Sequence, residues 1–198
     1  MNAVPQVEVA ERAGAGAYGE HRPSEGVVSV LPNAVVLLDG ATSPRPGPRG
    51  GGWYASLLAG ELVGRLTGYP GMDLADLLAA AIRAVAREHG LASGESPSST
   101  VALVRWDDEA VEGLVLADSP VVAVTGAGVH VLTGGCRAEA DPDAAYEASR
   151  ATWPRAAVLR VLLASGGVSR AIGGDPILPD WATVADVVAR RGAGAVLD

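Results

Sequence analysis

The chain has 198 residues, 48% of them hydrophobic but only 4% aromatic and none Phe, which fits one domain with a core of Val, Leu and Ala. A net charge of −8 and a pI near 4.8 exclude nucleic acid and an anionic membrane surface as main partners. All 15 basic residues are Arg, which excludes Schiff-base lysines, a phosphate-loop lysine and Ser-Lys dyads, while the single Cys136 excludes a disulfide framework and a cysteine-based zinc site.

The opening residues, Met1-Asn-Ala-Val-Pro-Gln6, lack the charged-then-apolar layout of a secretory signal, and no apolar run approaches membrane-spanning length. A cytoplasmic location is therefore expected, and the lone cysteine reads as an inert, partly buried residue. Residues 7–13 alternate enough for a first strand, after which Gly14-Ala-Gly-Ala-Tyr-Gly19 turns. Residues 27–31 and 34–39 read as a hairpin around Pro32-Asn33, and 43–52 as a Pro/Gly/Arg loop. Two helices follow. The first, 53–66, sets Leu57, Leu58, Glu61, Leu62 and Leu66 at helical spacing; the second, 73–89, carries Leu74, Leu77, Leu78, Ala81, Ile82 and Val85 in one stripe behind an Asp73 cap. Strands are predicted at 100–106, 111–117, 121–125 and 129–132. The tip Asp107-Asp108-Glu109 has the acids of a cation site, but a solvated hairpin turn explains it more simply. A short helix at 141–151, a buried strand at 158–164 and a helix at 181–191 with Val184, Val187 and Val188 inward complete the chain. Strands clustered around a helical pair predict a layered α+β sandwich rather than an alternating Rossmann sheet.

The most informative run is Ala34-Val-Val-Leu-Leu-Asp-Gly-Ala-Thr42, an apolar strand that ends on an acid and a glycine. Leu114-Val-Leu-Ala-Asp-Ser119 repeats that arrangement with its acid, whereas Val161-Leu-Leu-Ala-Ser-Gly-Gly167 has glycine where the pattern asks for one. Acids delivered by the ends of neighbouring strands are a means of holding hard cations, which need several oxygens at fixed geometry. Glu25 and Asp39 flank the first hairpin, so antiparallel pairing brings both carboxylates to one rim, with the Gly40 carbonyl as a further oxygen; solvated rim acids are the plainer account of the same spacing. Gly14-Ala-Gly-Ala-Tyr-Gly19 matches a dinucleotide fingerprint formally, but Glu20-His-Arg-Pro-Ser24 leads through a proline into a strand, not into a helix that could hold a pyrophosphate. His21, His89 and His130 have no zinc-like spacing.

Five segments in order then resemble one family. Arg22-Pro-Ser-Glu-Gly26 is similar to an Arg-x-Asn-Glu-Asp segment, Val36-Leu-Leu-Asp-Gly40 to a central Asp-Gly motif, and Ser98-Ser-Thr-Val-Ala-Leu103 with Leu116-Ala-Asp-Ser119 to a Ser/Gly-Ser-Thr strand and its Gly-Asp-Ser turn. Val161-Leu-Leu-Ala-Ser-Gly-Gly-Val168 is similar to a Leu-Leu-Ser-Asp-Gly motif. Over roughly residues 7–191 the chain thus resembles the metal-dependent protein phosphatase 2C-like family, especially its compact actinobacterial members. The resemblance implies an α/β/β/α sandwich of mainly antiparallel sheets flanked by helices, as one domain over 1–198. It also implies one metal position from Glu25, Asp39 and the Gly40 carbonyl, a substrate-phosphate role for Arg22, and Asp118 beside an accessory metal position. Departures are as informative. Gly26 replaces an acid that often follows the glutamate, Gly166 replaces the aspartate that ligates the other metal, the segment 133–158 is short, and the sequence stops at Asp198 before the family's closing acid motif and last strand.

A binuclear phosphatase needs both ions, one to activate water and the pair to clamp phosphate. The preferred reading is therefore a pseudophosphatase with a weak or vestigial metal position, no tightly bound cofactor, only weak Mn²⁺ or Mg²⁺, and a protein or small molecule as partner. One alternative is a working hydrolase whose lost ligands are replaced, with Asp175 or Asp180 reaching back. Another is an enzyme of different chemistry, such as small-molecule tailoring, on the same sandwich; an apolar pocket over the rim would favour it. The stop at Asp198 predicts an open sheet edge covered by a homodimer partner or another protein.

Overall fold

The computed structural model describes residues 5–12, 24–41, 49–92, 96–135, 141–166, 168, 172 and 180–197. In chain order they form β1 (Gly26–Leu31), β2 (Ala34–Gly40), α1 (Gly51–Gly68), α2 (Leu74–His89), β3 (Ser99–Trp106), β4 (Ala110–Leu116), β5 (Val121–Thr125) and β6 (Gly128–Leu132). A 3₁₀ turn (Pro142–Glu147), β7 (Ser149–Pro154), a second 3₁₀ turn (Arg155–Ala157), β8 (Val158–Leu163), α3 (Trp181–Arg191) and a last 3₁₀ turn (Ala193–Val196) follow. Five strands make one antiparallel sheet in the order β1-β2-β3-β4-β7, and three make a second, β6-β5-β8.

Side-chain alternation assigns the two faces of the larger sheet. Val36, Leu38, Val101, Leu103, Leu114 and Leu116 face the buried stripes of α1 and α2, while Ala102, Val104, Val111 and Val115 meet Val121 and Ala123 of the second sheet. Covered on both sides, β3 is buried along almost its whole length, as its near-continuous apolar sequence requires. Each buried Leu or Val there contributes about 1.5–3 kcal/mol relative to exposure. Trp153 of β7 fits between the sheets because Gly113 leaves room: a Cβ at 113 would lie 3.0 Å from its Cζ3. Arg105 pins the helical layer to the sheet, its Nε donating to Glu112 Oε2 (2.8 Å) and its Nη1 to the carbonyls of Pro70 (2.8 Å) and Met72 (2.7 Å). Helix α3 lies on the second sheet, where Arg160 Nη1 donates to the Ala185 carbonyl (3.4 Å). The layers are α/β/β/α, as the sequence leads one to expect.

The hairpin at Pro32-Asn33, the strand at 121–125 and the helix at 181–191 fall at their expected places. Asp73 caps α2 by accepting from Ala75 N (2.8 Å) and Asp76 N (3.3 Å), and Gly90 closes it at φ 64°. Asp107 Oδ1 accepts from the amides of Glu109 and Ala110, both at 2.8 Å, so the acidic tip is a turn. Four expectations fail. Residues 7–12 join no strand; Val7 and Val9 stay exposed, and Glu8 Oε2 instead accepts from Ala193 N (3.2 Å). The expected helix over 141–151 is a 3₁₀ turn followed by β7, because the ladder on β4, with Val111 opposite Trp153, outweighs a local helix that would bury little. Strand β8 is half-buried rather than buried, with Leu159 72% exposed at the margin of the small sheet. Gly51 and Gly52 also belong to α1 and not to the preceding loop. Cys136 and the Gly14–Gly19 stretch lie outside the described residues.

Candidate functional site

Strand register gathers the acid-bearing segments at one end of the larger sheet. Gly26 pairs with Asp39, so Glu25 falls beside Gly40, whose amide donates to the Glu25 carbonyl (3.0 Å). Across the next ladder Asp39 faces Thr100 and Gly40 faces Ser99; beyond it Val101 faces Leu116, which brings the turn 117–119 to the same rim. Three buried hydroxyls floor this rim. Thr100 Oγ1 accepts from Asp39 N (3.2 Å) and shares a 2.5 Å hydrogen bond with Ser119 Oγ, while Ser99 Oγ donates to the carbonyls of Asp39 (3.2 Å) and Thr100 (2.9 Å). Such groups are tolerated inside because each is satisfied, and the network then holds the backbone of Asp39 in place.

Helix α1 begins directly on this rim. A Cβ at Gly40 would sit 2.2 Å from the Gly51 carbonyl carbon, and one at Gly51 2.4 Å from the Ala41 oxygen, so strand end and helix start touch backbone to backbone. Glu25 packs on Gly52, where a Cβ would lie 3.3 Å from its Cα. The first turn of α1 has no side-chain cap and no acid of its own, so Glu25 and the end of β2 lie at the positive end of the helix dipole. Sequence reasoning missed Gly51, Gly52 and the roles of Ser99, Thr100 and Ser119; the glycine run before Trp53 was the available signal.

Asp118 is exposed and follows Ala117, which has φ 69°. Its place is set by the second sheet: Val121 pairs with Leu163 and Ala164 N donates to the Pro120 carbonyl (3.2 Å), which holds the turn 117–119 beside the residues that follow β8. The carboxylate indeed lies on the backbone of Gly166, where a Cβ would be 2.5 Å from Oδ2. The structure thus brings Glu25 together with Asp39 and Gly40, and Asp118 with Gly166. Arg22 and Asp175 lie outside the described residues, and Asp180 caps α3 by accepting from Thr183 N (2.7 Å). Among the described residues, no group of three or more His, Cys, Asp or Glu is placed to hold a metal ion. Two open hollows lie away from the rim, one of about 430 Å³ between residues 10–12 and Gly194 and Leu197, the other of about 410 Å³ under Trp153, His130 and Leu159.

No protein-family model matches the chain, and no curated protein matches it significantly. Solved structures do. The catalytic domain of the serine/threonine phosphatase PstP, in complex with two manganese ions, shares 16% identity over 93% of this chain and 85% of that one, with a TM-score of 0.61. The PPM Ser-Thr phosphatase MsPP from Mycobacterium smegmatis gives 13% identity, 94% and 85% coverage and a TM-score of 0.63. This chain has the phosphatase 2C-like fold. PppA of Pseudomonas aeruginosa, described as a regulatory component of T6SS, aligns at 18% identity over 90% and 88% with a TM-score of 0.54. At such identities the phosphatase 2C-like architecture is what is shared, and the chemistry must be argued from the rim itself. No described helix is long and apolar enough to cross a membrane.

Proposed function

We propose that this phosphatase 2C-like protein has an incomplete metal centre and serves a binding, regulatory or otherwise non-hydrolytic role, as a pseudophosphatase. The observation that carries this reading is position 166. The segment after β8, where the family resemblance has an aspartate, carries glycine instead, and the Asp118 carboxylate lies against that glycine. The described residues do not fit a two-metal centre, so no hydrolytic step is derived through one. Residues available to a single ion are the Glu25 and Asp39 carboxylates and the Gly40 carbonyl. A hard divalent cation offered three such oxygens keeps most of its water, so Mn²⁺ or Mg²⁺ is held weakly. The partner is then a protein or a small molecule recognised without phosphoester cleavage, and Arg22 is the residue to test for phosphate contact.

Calorimetry with Mn²⁺ is expected to show no strong site, and an aryl phosphate no metal-dependent turnover. Two tight sites abolished by Asp39→Ala, together with turnover that needs the metal, would replace this reading with that of a hydrolase using substituted ligands.

A further inference from the structure

Among the outer strands of the two described sheets, β1 alone carries none of the devices that keep an edge from pairing. β7 has Arg150 and ends on Pro154; β6 is only five residues long and starts on Gly128 at φ 139°; β8 has Arg160 and a shift of register against β5. β1 reads Gly26-Val-Val-Ser-Val-Leu31, without charge, proline or bulge, in unbroken register with β2. The Gly40 amide bonds the Glu25 carbonyl, so the hydrogen-bonded pairs with β2 fall on residues 25, 27, 29 and 31. The N–H and C=O groups of Gly26, Val28 and Val30 therefore point outward. Ser24 Oγ accepts the Gly26 N–H (3.1 Å). What is left open is the backbone of Val28 and Val30, to which no described residue bonds, beside side chains that are 40% and 51% exposed.

We propose that this edge is a docking surface for a second copy of the chain, joined β1 to β1 about a two-fold axis at Ser29. Antiparallel self-pairing in that register sets Val28 of each copy opposite Val30 of the other, as a hydrogen-bonded pair on both sides of the axis. Four bonds then satisfy every outward N–H and C=O of the two valines in both copies. The four valine side chains meet in two cross-strand pairs on one face. A second copy fits because the open groups are complementary to themselves, and because an uncharged β1 brings no like charges opposite each other in a chain of net charge −8. The two five-stranded sheets become one of ten strands. Since the paired strands run in opposite directions, the Glu25 end of each lies beside the Pro32-Asn33 turn of the other, and the dimer carries its two rims at opposite ends. This pairing does not depend on whether the rim holds a metal.

Light scattering at tens of micromolar is expected to give a mass approaching twice the 19.9 kDa of one chain. Val28→Lys, a change at an exposed position, is expected to weaken self-association roughly tenfold or more while far-ultraviolet circular dichroism stays that of the native chain. Val28→Pro removes one outward N–H without touching the ladder on β2, and is expected to do the same. Residue 29 meets its own copy in a non-hydrogen-bonded pair, with Cα atoms about 4.5 Å apart, so Ser29→Cys in a Cys136→Ser background is expected to form a disulfide-linked dimer under mild oxidation. Gly126→Cys, at the exposed turn between β5 and β6, is the control and is expected not to. A native chain that is monomeric at this concentration would overturn the proposal and leave the edge to a strand of another protein. A dimer that persists in both Val28 variants would place the contact elsewhere and overturn it equally, as would Ser29→Cys crosslinking no better than the control.

Discussion

Ala117 carries the clearest local strain on the rim. It has a left-handed φ of 69° although it bears a Cβ, a conformation that costs an L-residue about 1–2 kcal/mol. The turn keeps it because both sides hold it: Gly134 N donates to its carbonyl (3.1 Å) and Ser119, two residues on, is locked to Thr100. Ala117→Gly is expected to stabilise the fold by roughly 0.5–1 kcal/mol, since glycine relieves the strain but has more freedom to lose on folding. Urea unfolding would show a higher midpoint with an unchanged slope; a lower midpoint would mean that the methyl group's packing outweighs the strain. Nothing in Leu116-Ala-Asp-Ser119 itself announces a left-handed residue; the available signal was the glycine that the resembled Gly-Asp-Ser turn has at that place.

Helix ends and hairpin tips are where local sequence spoke most directly. Asp73 and Gly90 bracket α2 as their chemistry dictates, and the side chains that close turns also respond to acid. The Asp180 carboxyl is held below the usual carboxylate range first by the Thr183 amide, and the Asp107 carboxyl by the amides of Ala110 and then Glu109. A folded-state pKa below the unfolded value gives stability that is present above about pH 4 and lost as pH falls through the folded-state values. Asp180→Ala and Asp107→Ala are therefore each expected to flatten the acid limb of the melting profile below about pH 4. A variant as acid-sensitive as the native chain would show that its carboxyl is not among the groups responsible. Where sequence reasoning failed, partners far along the chain decided. Residues 149–154 have no strong strand signature of their own and become β7 only because β4 offers an edge, whereas 7–12 alternate well and find no ladder.

At the scale of the molecule, the layer order followed from clustered hairpins around a helical pair, since two apolar faces on one sheet leave few ways to cover both. Half of the rim was equally legible. Glu25 and Asp39 belong to one short hairpin whose turn sets the pairing, so their approach is arithmetic on neighbouring residues. The other half was not. Asp118 and Gly166 flank the paired strands β5 and β8, and no local pattern states how two strands separated by β6, β7 and two 3₁₀ turns will align. The same dependence on distant partners governs how the rim can come apart. The amide of Asp39 is held by the hydroxyl of a residue 61 positions away, across a ladder that encloses both α1 and α2. Fraying of the β1–β2 hairpin leaves that hydrogen bond to β3 in place. Hydrogen exchange of that amide is expected to proceed with the free energy of global unfolding, matching the slowest amides of β3, while amides of the outer strand β1 exchange through smaller openings. Exchange at Asp39 as fast as in β1 would instead mean that the rim opens on its own, ahead of the sheet that builds it.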